Sequence, residues 1–154
     1  MIEVRDAIAA DADAACVVLR RSITELCRAD HKDDPRLLAG WLANKTPETF
    51  LSWLAQKGNS VLIAIDGERI LAVGSVTDSG EIGLNYVSPD ARFRGASKAM
   101  LAALEARARV RGNGRCTLTS TATALRFYRA AGYRETEPAV TFSVSGTRMV
   151  KHFD

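Results

Sequence analysis

Hydrophobic positions along the chain change period near residue 58, and the change separates a helical first part from an extended middle. Ile2 to Ile8 alternates weakly and predicts a short first strand. Asp11 and Asp13 then stand where a helix would start, a favourable place for negative charge. Ala15, Leu19, Ile23 and Leu26 recur at near-helical spacing, which predicts an amphipathic helix to about Cys27. The polar run Arg28 to Asp34 reads as a loop. Asp34-Pro35 opens a second helix with Leu37, Leu38, Trp41 and Leu42 on its apolar face. Thr46-Pro47-Glu48 opens a third, with Phe50, Leu51 and Leu54 inward and Gly58 past its end.

After Gly58 the period becomes two. Ser60 to Ile65 and Arg69 to Thr77 read as strands about an Asp66-Gly67 turn. Asp78-Ser79-Gly80 is a second turn, followed by the strand Glu81 to Val87. A long helix from about Ala96 carries Met100, Leu101, Leu104 and Ala108 on one side and stops at Gly112-Asn113-Gly114. Cys116 to Ser120 is a short strand, and Thr121 to Ala131 a helix closed by Gly132. Ala139 to Val144 and Thr147 to Phe153 read as a hairpin about Ser145-Gly146. The order predicts one α+β (α/β layered) domain over residues 1–154, a mixed and mostly antiparallel sheet flanked by helices.

The stretch from Tyr86 to Val110 organises the rest. It is a strand end, a loop begun by Pro89, a basic turn and a helix start, with Arg92, Arg94 and Lys98 around Gly95, Ala96 and Ser97. A helix start leaves backbone N–H groups without partners and carries the positive end of the macrodipole. Small residues let an anion approach those groups, so the element can cradle a phosphate. The same residues would also serve an ordinary helix start with solvent-facing arginines. Val87, Pro89, Arg92 and Gly95 resemble motif A of the GCN5-related N-acetyltransferases (the GNAT superfamily), V-x-P-x-x-R/Q-x-x-G-x-G/A. The chain departs from it at Phe93, where a small residue is usual, and at Ser97, which replaces the second Gly. The order of elements is similar to the GNAT fold over essentially the whole chain.

This resemblance implies that the loop amides and the helix start hold the pyrophosphate of acetyl-coenzyme A, the acetyl donor. It implies cofactor contacts from Tyr86, Val87, Arg92, Phe93, Arg94, Gly95, Ala96, Ser97 and Lys98, with the strand before the loop splayed so that its backbone can pair with the pantetheine arm. A strand ending at Ser88-Pro89 loses its ladder in any case, because proline cannot donate.

Ala124, Phe127, Tyr128, Gly132 and Tyr133 are similar to motif B of the superfamily, A-x-x-F-Y-x-x-x-G-F/Y. Read without that resemblance, Phe127 and Tyr128 are core residues of a helix. The resemblance places Phe127 beside the cofactor and makes Tyr128 the general acid that meets the departing sulfur. Thr121 stands where the family often has a cofactor-touching Asn. The implied reaction is direct attack of an amine on the thioester. An alkyl amine with a pKa near ~10.4 must lose a proton, and a thiolate with a pKa near ~8.5 must gain one or a hydrogen bond.

Glu81 is the candidate base, six residues before Val87, the offset at which histone acetyltransferases of this superfamily carry a catalytic Glu. The alternative is a solvated carboxylate after a turn. Strand alternation puts Glu81, Gly83 and Asn85 on one face unless a bulge intervenes. His31 is the second candidate for the base, and His152 stands behind it. The resemblance places acceptor recognition on the early helices and the late hairpin. There Asp30, His31, Asp33, Asp34 and Trp41, with the segment around Thr141 and Ser143, would suit a cationic amine of a small molecule or a protein. The alternative is a polar loop that caps a helix, with Trp41 buried.

Composition narrows the alternatives. Of 154 residues, 47% are hydrophobic and 25% charged, ordinary for a globular domain, and no apolar run approaches the ~20 residues of a membrane span. The N-terminal segment lacks the pattern of a signal peptide. Cys16, Cys27 and Cys116 are odd in number and widely spaced, which predicts reduced thiols in the cytoplasm, and no Cys/His spacing matches a metal site. The net charge is +3, but between Arg92 and Arg134 only Glu105 opposes the basic residues. Such a half attracts a polyanion, a phosphorylated cofactor or a nucleic acid. Without aromatic interleaving or a nucleic-acid signature the cofactor is favoured. The expectation is an N-acetyltransferase with no nucleic-acid or membrane partner, homodimerisation left open. The other classes are a non-catalytic acetyl-coenzyme A sensor and, behind it, a nucleic-acid-binding module.

Overall fold

The computed structural model describes residues 1–154. Seven strands are formed: β1 (Glu3–Asp6), β2 (Asn59–Asp66), β3 (Arg69–Thr77), β4 (Glu81–Val87), β5 (Arg115–Ser120), β6 (Arg134–Thr141) and β7 (Val144–His152). They make one sheet in the order β1-β2-β3-β4-β5-β7-β6. Every neighbouring pair is antiparallel except β4 and β5. The helices are α1 (Ala12–Arg21), α2 (Arg28–His31), α3 (Pro35–Leu42), α4 (Pro47–Ala55), α5 (Ala96–Val110) and α6 (Leu125–Ala130). The α+β architecture anticipated from the element order is the one observed, and no helix is long and apolar enough to cross a membrane.

Alternation along β2 and β3 sends side chains to two separate cores. Leu62, Ala64, Leu71 and Val76 pack with Met100, Leu104 and Ala108 of α5 on one face. Val61, Ile63 and Val73 pack with Ala15, Leu19 and Phe50 from α1 and α4 on the other. A third, smaller cluster joins Ile23, Cys27, Trp41 and Val144. Asp34 and Thr46 cap α3 and α4 by accepting from the N–H groups of Arg36 (2.9 Å) and Thr49 (3.2 Å).

Four elements differ from the sequence reading, one of them α6, which starts at Leu125 after a turn and not at Thr121. The α1 helix gives way to a π-helical turn over Ser22–Leu26 rather than running regularly to Cys27. That wider turn brings Ser22, Leu26 and Cys27 to the wall of a cavity described below. The stretch taken as a loop after Cys27 contains the one-turn α2, stapled by a buried His31. Its Nε2 faces the carbonyls of Ile23 (3.0 Å) and Thr24 (3.2 Å), while Nδ1 accepts from the Asp33 N–H (3.0 Å). The run is polar, yet two of its side chains, Asp30 and His31, are buried on backbone groups instead of facing water. Finally, the hairpin turns at Phe142-Ser143, both left-handed (φ +53° and +63°), and not at Ser145-Gly146. Gly146 lies inside β7, where a β-carbon would come within 2.8 Å of the Ser120 carbonyl oxygen; its small size serves a close strand approach.

Candidate active site

The parallel pair β4 and β5 is joined only at Glu81–Thr117 and Ile82–Leu118, after which the two strands splay apart. Gly80 fixes the apex of this V: its carbonyl accepts from the Thr117 N–H (3.0 Å). The ladder between β3 and β4 continues through Val87, so the backbone edge freed by the splay is the one facing β5. Two cavities of about 410 Å³ each meet at this opening and share Ile82, Gly83, Leu84, Tyr86, Thr119 and Thr121 as walls.

A bulge decides which cavity Glu81 and Asn85 of β4 enter. Ser75 pairs with Leu84 and Val76 with Ile82, so Gly83 has no partner across the strand. The extra residue inverts the alternation. Asn85 faces the first cavity and Glu81 the second, so the expectation of one shared face gives way to its stated exception.

The first cavity is electropositive. Arg92 and Lys98 line it, no carboxylate does, and neither cation is ion-paired elsewhere. The amides of Gly95, Ala96, Ser97 and Lys98 have no acceptor within the chain, and Gly95 precedes α5 without a side-chain cap. Phe93 has a left-handed backbone (φ +63°) and is 94% exposed, so its bulk leaves the cradle open. Arg94 lies outside the lining and pairs with Asp66 at 2.7 Å. Other arginines of the basic half are also neutralised from elsewhere in the chain: Arg107 by Asp6, Arg111 by Asp78 and Arg129 by Glu135.

At the inner end of this cavity Tyr128 is buried, its ring held edge-on between Phe127 (5.2 Å) and Tyr133 (5.6 Å). Its oxygen accepts from the Asn85 Nδ2 (3.2 Å), and its own proton has no acceptor in the chain. Burial pushes the phenol up to about 12, against the downward pull of the Asn85 hydrogen bond. The Oδ1 of Asn85 is buried without a partner, a polar atom left for something in the cavity. Tyr86 and Val87 line the cavity from β4 and Phe127 from α6; Thr121 spends its hydroxyl on the Ala124 N–H (3.1 Å).

The profile of the acetyltransferase (GNAT) domain matches residues 33–152. The chain belongs to the GNAT acetyltransferases. Comparison with the curated proteins gives no significant match. Among solved structures, a GCN5-related N-acetyltransferase from Rhodopseudomonas palustris superposes with a TM-score of 0.89 at 23% identity, covering 98% of this chain and 95% of that one. The PaiA N-acetyltransferase of Thermoplasma acidophilum, in complex with coenzyme A, gives 0.87 at 17% identity over 99% of both chains. The ribosomal-protein-S18-alanine N-acetyltransferase of Escherichia coli gives 0.72 at 17%, covering 100% of this chain and 95% of that one.

In this GNAT acetyltransferase the second cavity lies against α3, α4 and the β6–β7 tip, with Trp41, Lys45, Trp53 and Phe142 among its walls. Trp41 donates through Nε1 to the Tyr86 oxygen (3.3 Å), and burial raises that phenol well above its usual range. Glu81 is held by Arg148, which reaches both carboxylate oxygens (2.7 and 3.1 Å), and by the Thr117 hydroxyl. Burial would raise this carboxyl, but the hydrogen bonds from Arg148 and Thr117 outweigh it and leave it below its usual range. Asn85, Lys45 and Arg148 were not visible as site residues in the sequence: the bulge in β4 turns Asn85 inward, the connection between α3 and α4 brings Lys45 to the second cavity, and Arg148 enters through its contact with Glu81.

Asp30 and His31 line neither cavity. His31 has both ring nitrogens committed, as described above. Asp30 accepts from the N–H groups of Ala122 (2.6 Å) and Thr123 (3.3 Å) and from the Thr123 hydroxyl (2.5 Å), fixing the turn that enters α6. Asp33 pairs loosely with Arg28 (3.9 Å), and Asp34 caps α3. The acids expected around a cationic acceptor are thus structural in their contacts. Asp30→Ala should destabilise the fold by about 2 kcal/mol, since two amides and a hydroxyl lose their acceptor. Denaturant unfolding checks this, and Asp30→Asn, which keeps one acceptor oxygen, should recover part of the loss.

Proposed function

We propose that the chain transfers acetyl from acetyl-coenzyme A to an amine, with Tyr128 hydrogen-bonding the departing sulfur as general acid. What supports this above all is the phenol with an uncommitted proton at the inner end of the first cavity, its oxygen accepting from Asn85 and its ring held by two aromatic neighbours. The amides of Gly95 to Lys98, with Arg92 and Lys98, would hold the diphosphate. The free edge of β4 at Tyr86 and Val87 would hold the amide-bearing arm, and the Asn85 oxygen could accept from it. Acetyl-coenzyme A supplies an activated acyl carbon and a thiolate leaving group.

A phenol near 12 is a weaker acid than a thiol near ~8.5. Tyr128 therefore stabilises developing charge by a strong hydrogen bond and gives up its proton late. The Asn85 N–H relieves the negative charge this leaves on the phenolic oxygen. On the acceptor side Glu81 takes the amine proton, directly or through one water. Arg148 makes it a weak base, so the reaction depends on the fraction of acceptor that arrives neutral.

A thermal-shift titration tests the donor half. Acetyl-coenzyme A at 100 times its Kd should raise the Tm by roughly 5–10 °C, about 2.7 kcal/mol of linkage in a domain of this size. An amine panel followed by thiol release tests turnover. The rate should climb with pH toward the acceptor's own pKa. Glu81→Gln should lower it several-fold at pH 7 and much less at pH 10; an equal loss at both would remove Glu81 from proton transfer.

A further inference from the structure

The second cavity contains two charged side chains, Glu81 and Lys45. Glu81 is neutralised by Arg148. Lys45 is only 2% exposed and takes part in no ion pair. Its ammonium donates to the Trp41 carbonyl (3.2 Å) and to the Asn44 side-chain oxygen (2.5 Å), which accounts for two of three N–H groups. Over the remaining direction lies the ring of Phe142, with its centroid 4.5 Å away. Phe142 sits on the left-handed hairpin turn and is 41% exposed, so a ligand can take its place. Arg20 anchors the segment from behind by donating to the carbonyls of Leu42 (3.0 Å) and Lys45 (3.2 Å).

A buried cation without an anion is costly, and an anionic group brought into contact with it offsets that cost. Burial alone pushes this ammonium down to about 8. The cavity therefore carries one uncompensated positive charge, the reverse of what a polyamine needs. Building on the acetyl-transfer reading above, we propose that the acceptor is an amine that also bears a carboxylate, and that Lys45 binds that carboxylate through its third N–H. The amine then points to the V of β4 and β5, between Glu81 and Tyr128, and Phe142 yields its place over the ammonium.

The test uses matched acceptors: 4-aminobutyrate, butylamine and 1,4-diaminobutane, with glycine and 6-aminohexanoate to vary reach. Binding is read first, without turnover, as the thermal shift of the coenzyme A-saturated protein. At least one aminocarboxylate should stabilise the wild type and butylamine should not, and Lys45→Met should abolish the difference. Lys45→Met should also raise the Tm of the free protein, because it removes an unpaired buried charge. In turnover the best aminocarboxylate should exceed its matched alkylamine by about 10- to 100-fold in kcat/KM, the range of one charge-assisted hydrogen bond. That ratio should fall to about one in Lys45→Met and recover in part in Lys45→Arg. Equal shifts from all probes, a preference for the diamine, or a preference that survives Lys45→Met overturns the assignment. Carboxylate-dependent stabilisation without any acetyl transfer would instead overturn the enzymatic reading while leaving Lys45 as an anion site.

Discussion

Tyr128→Phe should lower kcat roughly 100-fold while leaving the affinity for acetyl-coenzyme A within about threefold, since acid catalysis of this type contributes on the order of 10²–10⁴. The substitution is well suited to isolate the hydroxyl. The ring is held by edge contacts with Phe127 and Tyr133, which phenylalanine reproduces, so the cavity wall keeps its shape. The hydroxyl contributes one hydrogen bond within the chain, from Asn85, and its loss should cost about 1 kcal/mol of stability. A variant that unfolds is thus not expected, and lost activity cannot be assigned to lost structure. Single-turnover thiol release separates the chemical step from product release. Because burial holds the phenol near 12, any alkaline fall in wild-type rate below pH 10 belongs to another group. A variant that keeps a third or more of wild-type kcat would remove Tyr128 from the chemistry.

The second large effect is on the frame. Gly80→Ala should destabilise the protein by about 3 kcal/mol, or roughly 6–12 °C in Tm. Two costs add at this position. The backbone is left-handed (φ +88°), which costs an L-residue about 1–2 kcal/mol. A β-carbon would also stand 2.5 Å from the Arg115 carbonyl oxygen, a backbone atom that cannot turn aside. Forced overlap of this kind costs about 1–3 kcal/mol. Gly112→Ala is the control: its φ is +91°, but nothing lies within 4 Å of the added carbon, so only the first cost applies. Equal losses for the two variants in urea unfolding would show that the contact at Gly80 relaxes. If it does not relax, Gly80→Ala should also displace β5 from β4, and activity should fall before the protein unfolds.

The part of the first cavity's wall between Tyr86 and Lys98 was legible in the sequence because it is contiguous, whereas Asn85 and the π-helical turn were not. Residues 86–98 carry a strand end, a loop and a helix start, and local chemistry identifies each. The β2, β3, β4 and α5 boundaries were legible because turn residues bound the apolar runs of the strands and glycines flank the helix. The second cavity was legible only in part. Trp41, Glu81 and Thr141 stand among the residues read from the sequence and line it. Lys45, Phe142 and, behind Glu81, Arg148 come from separate parts of the chain that only the fold brings together. Asp30 and His31 looked like surface groups because polarity was taken to mean water, whereas both are buried on backbone N–H and carbonyl groups. The hairpin was displaced because Ser145-Gly146 carries a turn signal, while the turn is made by Phe142 and Ser143 at a left-handed geometry their types rarely adopt.

Gly83 gives the sheet a parity. Counting from it, residues toward the loop and residues toward the preceding turn follow opposite rules about which side of the sheet they face, so the separation of Asn85 from Glu81 into two cavities rests on a single unpaired position. Losing one residue there would keep every functional group in the chain and exchange their addresses. Lengthening the β6–β7 tip by one would shift no partner in the splayed pair. Tolerance to insertion and deletion in this enzyme should therefore follow strand phase rather than distance from the reacting atoms.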